Sequence, residues 1–160
     1  MVCLPVGMPL RRPKRLEGFS YRGPHRYLLT FCIESRQHLF VEADLVGCAV
    51  RQFDRTAGEE QFAILADCLM RDHAHLVMEG TADDSDLRHF VKMAKQRSAY
   101  ELWKLHRRRD VWQEGFHDWV IRPDQSITDV IFYVLNNPMR AGLVDRWDKY
   151  PFSRTMFPLV

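Results

Sequence analysis

The stretch FAILADCLMRDHAHLVME, Phe62 to Glu79, decides how this chain folds. Two apolar runs, 62–70 and 73–79, flank the polar pair Arg71-Asp72. That is the pattern of two antiparallel strands joined by a tight turn. Side chains two residues apart in a strand share a face. Ala74, Leu76 and Met78 therefore point into a core, while His73 and His75 stand together on the opposite face.

Working outward, 26–34 (RYLLTFCIE) is rich in β-branched and aromatic residues and is predicted as a strand. Leu45, Cys48, Ala49 and Phe53 recur at helical spacing and predict a helix over 42–53, with Gly58 breaking the chain before the next strand. Beyond the hairpin, Leu87, Phe90, Val91, Ala94, Ser98, Leu102 and Leu105 form one stripe of a helix over 87–105, with Ser85 and Asp86 as capping groups. After Gly115, residues 117–122 alternate as a fourth strand that Pro123 stops. Ser126 and Asp129 make a capping box for a last helix over 127–137, closed by Pro138 and Gly142. The order βαββαβ plus a helix predicts an α+β fold: a ferredoxin-like antiparallel sheet with helices on one face and an additional C-terminal helix. That architecture hosts many unrelated activities, so function must come from particular residues.

A chain of 160 residues fits one domain, assigned to 26–160, preceded by a flexible basic arm, 1–25, holding Pro5, Pro9 and Pro13. With 46% apolar and 28% charged residues, wholesale disorder is excluded. No apolar run approaches the roughly 18–20 residues of a membrane span, and the N-terminus lacks the apolar stretch of a secretory signal. Cys3, Cys32, Cys48 and Cys68 show no CxxC spacing and sit among mostly apolar neighbours, as reduced, buried cysteines do. The expectation is a soluble cytoplasmic protein with no membrane partner.

The formal charge of +2 conceals a strong segregation. The arm carries Arg11, Arg12, Lys14, Arg15, Arg22 and, at its boundary, Arg26, against only Glu17. Residues 88–109 carry Arg88, Lys92, Lys95, Arg97, Lys104, Arg107, Arg108 and Arg109 against only Glu101. The remainder must be strongly acidic. Two basic segments in one small chain form a surface suited to a polyanion, and the expected partner is nucleic acid.

Two imidazoles on one strand face suit a divalent ion if a third ligand arrives from elsewhere; they also fit a structural pair. In the last helix, Tyr133 and Asn137 lie one turn apart at the edge of the buried stripe Ile127, Val130, Ile131, Val134 and Leu135, with Asn136 pointing away. An asparagine so placed can ligate a metal through its carbonyl oxygen and hold the phenol nearby, or simply cap the helix before Pro138. Tyr100, on the basic face of the long helix, is the rival nucleophile and equally a residue for stacking on a base.

Taken together these residues resemble the single-tyrosine HUH transposases, and most closely their REP-associated tyrosine transposase branch. The resemblance rests on His73-Ala74-His75, on Val111-Trp112-Gln113, on the run from Tyr133 through Asn137-Pro138 to Ala141-Gly142-Leu143-Val144, and on the closing Tyr150-Pro151-Phe152-Ser153. It covers about residues 26–154. Where the family commonly has Pro-Asn before the first histidine, this chain has Arg71-Asp72, which alters the turn and removes no ligand.

The resemblance implies that Tyr133 is the catalytic nucleophile, on what becomes a catalytic C-terminal helix. It implies that His73, His75 and Asn137 hold Mg²⁺ or Mn²⁺, and that the partner is single-stranded, hairpin-containing DNA. It implies nicking and rejoining through a 5′-phosphotyrosine intermediate, with no nucleotide cofactor, in a nucleoid-associated monomer or homodimer. The alternatives are a catalytically silent relative that binds structured DNA or RNA, and a phosphodiesterase that uses water in place of Tyr133.

Overall fold

A computed structural model describes residues 15–159. In chain order its elements are β1 (Arg26–Cys32), α1 (Ala43–Glu59), β2 (Phe62–Met70), β3 (His73–Gly80), α2 (Leu87–His106), β4 (His117–Ile121), α3 (Ile127–Leu135), α4 (Asn137–Arg140) and β5 (Ser153–Thr155). The strands form one antiparallel sheet in the order β4-β1-β3-β2-β5. The predicted α+β, ferredoxin-like architecture is therefore the observed one, with β5 added at one edge.

Helices cover both faces of the sheet. Ala74, Leu76 and Met78 of β3 pack with Tyr27, Leu29 and Phe31 of β1 under α1 and α2. Leu28, Cys68, Met70 and Val77 pack instead with Val130, Ile131, Val134 and Leu135 of α3. A bulge makes this division possible. Ile64 pairs with Met78 and Ala66 with Val77, so Leu65 is an extra residue in β2. The extra residue turns Ala66, Cys68 and Met70 toward α3 although Phe62 and Ile64 face α1 and α2.

Several boundaries differ from the sequence reading, each for a physical reason. Gly58 lies inside α1, because Phe53, Thr56 and Ala57 stay buried and carry the helix past it. Leu105 is exposed rather than part of the buried stripe, since the last turn of α2 outruns the core. The last helix breaks at Asn136 into α3 and the short α4, which has Pro138 in its first turn. Leu143 N–H donates to Pro138 O (2.9 Å) and Gly142 N–H to Met139 O (3.0 Å), with Gly142 at φ +69°. This is a Schellman cap, which gives the Ala-Gly-Leu-Val run a structural role.

The segment expected to be a flexible arm is docked from Arg15 onward. Arg15 pairs with Asp118 and lies 3.6 Å over the Phe116 ring, Tyr21 is buried, and Arg22 bridges to Asp86. Arg11, Arg12, Lys14 and Cys3 lie outside the described residues. Cys32, Cys48 and Cys68 are free and buried. Among the described residues no helix is long and apolar enough to cross a membrane.

The closing Tyr-Pro-Phe-Ser run fastens the chain to β2. Tyr150 Oη donates to Leu69 O (2.9 Å), and Leu69 N–H donates to Phe152 O (2.8 Å). Next to this, Arg154 bridges the buried Asp67 (2.7 Å) and Asp54 of α1. Burial outweighs the attraction of Arg154 and pushes the Asp67 carboxyl up to about 6. A carboxyl whose folded pKa lies above its unfolded value favours the native state most when protonated. Its contribution is thus greatest below about pH 4 and is lost as pH rises through about 6. Urea unfolding of Asp67→Asn across this window is expected to show a flatter stability–pH curve than the parent chain.

Candidate active site

Alternation along β3 fixes the two histidines on the α3 side of the sheet. Their rings meet edge to face with centroids 4.7 Å apart. His75 sits opposite Thr30 of β1 and Cys68 of β2 in the antiparallel register. Its Nδ1 lies 2.8 Å from Thr30 Oγ1, and both residues are buried. Burial, then the nearby His73, Arg140 and Arg36, hold the His75 pKa well below that of a free imidazole, so it is neutral at physiological pH.

His73 is oriented differently. Its Nδ1 meets Asp72 Oδ1 at 2.6 Å, and Asp72 also accepts from Arg36 Nε (2.8 Å). The hydrogen bond from His73, followed by the charges around it, pulls the Asp72 carboxyl down to about 2. The turn that replaces Pro-Asn thus supplies a carboxylate that orients the first imidazole. On both rings Nδ1 is occupied, which leaves Nε2 as the nitrogen for a ligand. A carboxylate or hydroxyl behind each ring is the usual support of a metal-binding histidine.

Over the same face lies α3, started by Ser126, whose Oγ accepts from Asp129 N–H (3.2 Å). Its buried stripe sets Tyr133 at the margin, half-buried against the α3-side core. Asn137 Nδ2 donates back to Tyr133 O (3.3 Å) and Val134 O (3.2 Å), which leaves the side-chain carbonyl oxygen turned outward to accept. That oxygen accepts from Arg140 Nη2 at 2.8 Å. Arg140 also donates to Tyr133 O (3.1 Å) and places its guanidinium 4.1 Å from the Tyr133 ring centre. The same charge acts on His75 and Cys68, which puts Arg140 on the histidine side of the sheet. Asn136 turns back to Phe132 O (2.8 Å).

No cluster of three or more His, Cys, Asp or Glu side chains suited to a metal occurs among the described residues. A divalent ion on the two imidazoles would thus need a further ligand of another type, such as an amide oxygen. Thr30, Asp72 and Arg140 were not singled out from sequence. Only the register shows Thr30, whereas Asp72 and Arg140 stand within motifs already quoted.

The structure separates Tyr100 from this site, since α2 covers the other face of the sheet and Tyr100 is exposed there. It also divides the basic residues. Arg97 bridges Glu59 (2.5 Å) and bonds Thr56 (3.2 Å), while Lys95 Nζ donates to Gln113 O (2.7 Å) and Gly115 O (2.5 Å). With Arg15 on Asp118, these three are engaged within the fold rather than presented to a partner. Arg88, Lys92, Lys104, Arg107, Arg108 and Arg109 are exposed. The Trp-Gln motif is structural: Trp112 fills an aromatic cluster with Phe31, Phe40 and Phe53, and its Nε1 donates to Ser98 Oγ (2.9 Å).

With this geometry in place, residues 23–137 match the family described as transposase IS200 like. The match spans well over half the chain, and the chain belongs to that family. It is 23% identical over 137 residues to a Haemophilus influenzae protein named "Putative REP-associated tyrosine transposase", with 79% of this chain and 77% of that one covered. Its fold is that of a REP-associated tyrosine transposase solved bound to a REP hairpin (TM-score 0.71, 17% identity, 88% and 82% of the two chains). A Deinococcus radiodurans structure described as "a putative transposase" is also similar (TM-score 0.54, 18% identity, 78% and 97% covered).

The burial of His75 has a direct spectroscopic consequence. Nitrogen-15 shifts of His75 are expected to stay those of a neutral ring as pH falls through 6.5, where a free imidazole titrates. Thr30→Val should change the population of its two tautomers.

Proposed function

We propose that this chain is a single-stranded DNA transesterase of the transposase kind, nicking and rejoining hairpin-containing DNA through a 5′-phosphotyrosine link at Tyr133. One observation carries the reading. Two imidazoles with their Nδ1 atoms already taken share a sheet face with a tyrosine that lies under an arginine. The family match and the REP hairpin named for the solved relative point to hairpin DNA as the partner.

In this scheme His73, His75 and Asn137 would hold Mg²⁺ or Mn²⁺, which when bound supplies Lewis-acid polarisation of a phosphate oxygen. Imidazole nitrogens and an amide oxygen are a neutral donor set, so the dication keeps its charge for the phosphate.

Tyr133 Oη attacks the scissile phosphorus in line with the leaving 3′ oxygen. An Oη–P bond forms and the P–O3′ bond breaks. The phenolic proton is given up, the 3′ oxygen leaves protonated as a free hydroxyl, and the 5′ side stays on the protein. Arg140, beside the ring, offsets the negative charge that grows on the phenol oxygen. A 3′-hydroxyl from the same or another strand reverses the step and restores Tyr133. One phosphodiester replaces another, so no nucleotide cofactor is consumed. The exposed Arg88, Lys92, Lys104 and Arg107 to Arg109, with Arg11, Arg12 and Lys14 of the arm, would hold the backbone by charge.

The test uses end-labelled hairpin DNA with a single-stranded flank, with and without Mn²⁺ or Mg²⁺. An SDS-resistant protein–DNA band that needs the metal is expected. Tyr133→Phe should lower it at least about a thousandfold while hairpin affinity stays within about twofold. Adduct persisting in Tyr133→Phe would defeat the scheme; cleavage without adduct would indicate water as the nucleophile, and binding alone a silent relative. In a separate titration, Thr30→Val should weaken the Mn²⁺ requirement constant about ten- to a hundredfold, because it removes the support behind His75.

A further inference from the structure

The far end of α2 carries exposed aromatic and basic side chains on the face of the sheet away from Tyr133. Tyr100 is 55% exposed, Trp103 37% and Leu105 56%, a concentration of large apolar side chains on a helix whose other face is fully packed. The two rings are neighbours, centroids 5.9 Å apart and inclined at 46°, so they are not stacked face to face on each other. Arg107 lies 5.8 Å from the centre of the Trp103 ring. It ends the helix in a left-handed conformation (φ 55°), and Lys104, Arg108 and Arg109 are exposed around it.

The topology says where this patch lies. Beginning near Gly80, α2 is tied there by the Arg22–Asp86 bridge and by Ser85 Oγ donating to Gln61 O (2.7 Å). It then runs back along β3 toward His73. Beyond it, Val111 O accepts from Glu34 N–H and Cys32 O from Gln113 N–H, both at 2.9 Å. Cys32 pairs with His73 across β1 and β3, and Arg36 bonds Asp72. The aromatic and basic end of α2 therefore stands at the His73 end of the sheet, on the opposite face from the histidines.

We propose that Tyr100 and Trp103 form a stacking site for unpaired DNA bases, with Lys104, Arg107, Arg108 and Arg109 holding the phosphates. It would grip the single-stranded flank of a hairpin that passes round the sheet end toward Tyr133. Charge complementarity selects this occupant: four cations beside two exposed aromatic rings suit a polyanion with flat bases and disfavour a second copy of the same patch. The location of the scissile strand rests on the transesterase reading; the binding site itself does not.

The experiment measures fluorescence anisotropy of a labelled DNA hairpin, with and without a tail of unpaired thymidines, in EDTA. Omitting metal confines the readout to binding. The full chain is expected to bind the tailed hairpin more tightly, and Trp103→Ala or Tyr100→Ala to lose about tenfold of that gain. Trp103→Phe should retain most of it, and thermal melting of Tyr100→Ala should stay close to that of the parent, because Tyr100 is more than half exposed.

An undiminished gain in both alanine variants would overturn the proposal. So would loss only in a Lys104→Gln, Arg108→Gln, Arg109→Gln variant, which would show charge without stacking. A dimer in light scattering that Trp103→Ala dissolves would overturn it in favour of a second copy. A parent chain that forms no adduct with metal would defeat the transesterase reading and leave the tail measurement standing.

Discussion

A strand between two covered faces must serve two interiors at once, and that constraint on β3 organises the molecule. Its even-numbered residues Ala74, Leu76 and Met78 are wholly buried under α1 and α2. The odd-numbered His73, His75 and Val77 must then lie under α3, where water is scarce. A buried imidazole without a partner would cost one to several kcal/mol, about 1–3 by mutational measure. The register answers this by bringing Thr30 opposite His75. A slip of one residue would put both histidines into the apolar core under α1 and α2 and turn the Ala-Leu-Met set toward α3, so register, core and site are fixed by a single choice.

The remaining parts serve that choice. The bulge at Leu65 turns the second half of β2 so that Ala66, Cys68 and Met70 present an apolar floor to α3. The Tyr150 hydroxyl and β5 close the edge of β2 beside that floor. Pro138 and the Schellman cap at Gly142 then stop the chain within two turns of Tyr133, and Arg140 falls inside the stopped segment. The terminal signature of the sequence is thus a device for ending one helix at a set distance from the strands.

Legibility in the sequence followed the range of the interactions. The boundaries of β2 and the start of β3 were readable because alternation and a polar turn are local signals. The start of α2 was readable for the same reason, its cap Asp86 accepting from Arg88 and His89 N–H. The bulge, β5 and the run of α1 past Gly58 were not, since each is decided by contacts with distant chain. The basic residues show this most clearly. Spacing alone treats Arg97 and Lys104 alike, yet only Arg97 meets Glu59 across the helix pair at 2.5 Å. The pairing of His73, His75, Tyr133 and Asn137 came from motif resemblance, whereas their supports Thr30 and Asp72 came from the three-dimensional arrangement.

The charges around the histidines carry the chemistry one step further. Arg36 and Arg140 both act on His75, and Asp72, the one carboxylate among the described residues that acts there, is already shared between His73 and Arg36. Such a site is short of negative charge. A cationic or neutral substrate would leave the arginines uncompensated, and a bound dication would deepen the imbalance. A phosphodiester carries one negative charge, which equals the net positive charge of Arg36, Arg140 and Asp72. The neutrality of His75 fits the same account, because an imidazolium there could not ligate and would add a further positive charge. The site's electrostatics therefore favour an anion, which supports the proposed attack of Tyr133 on a backbone phosphate.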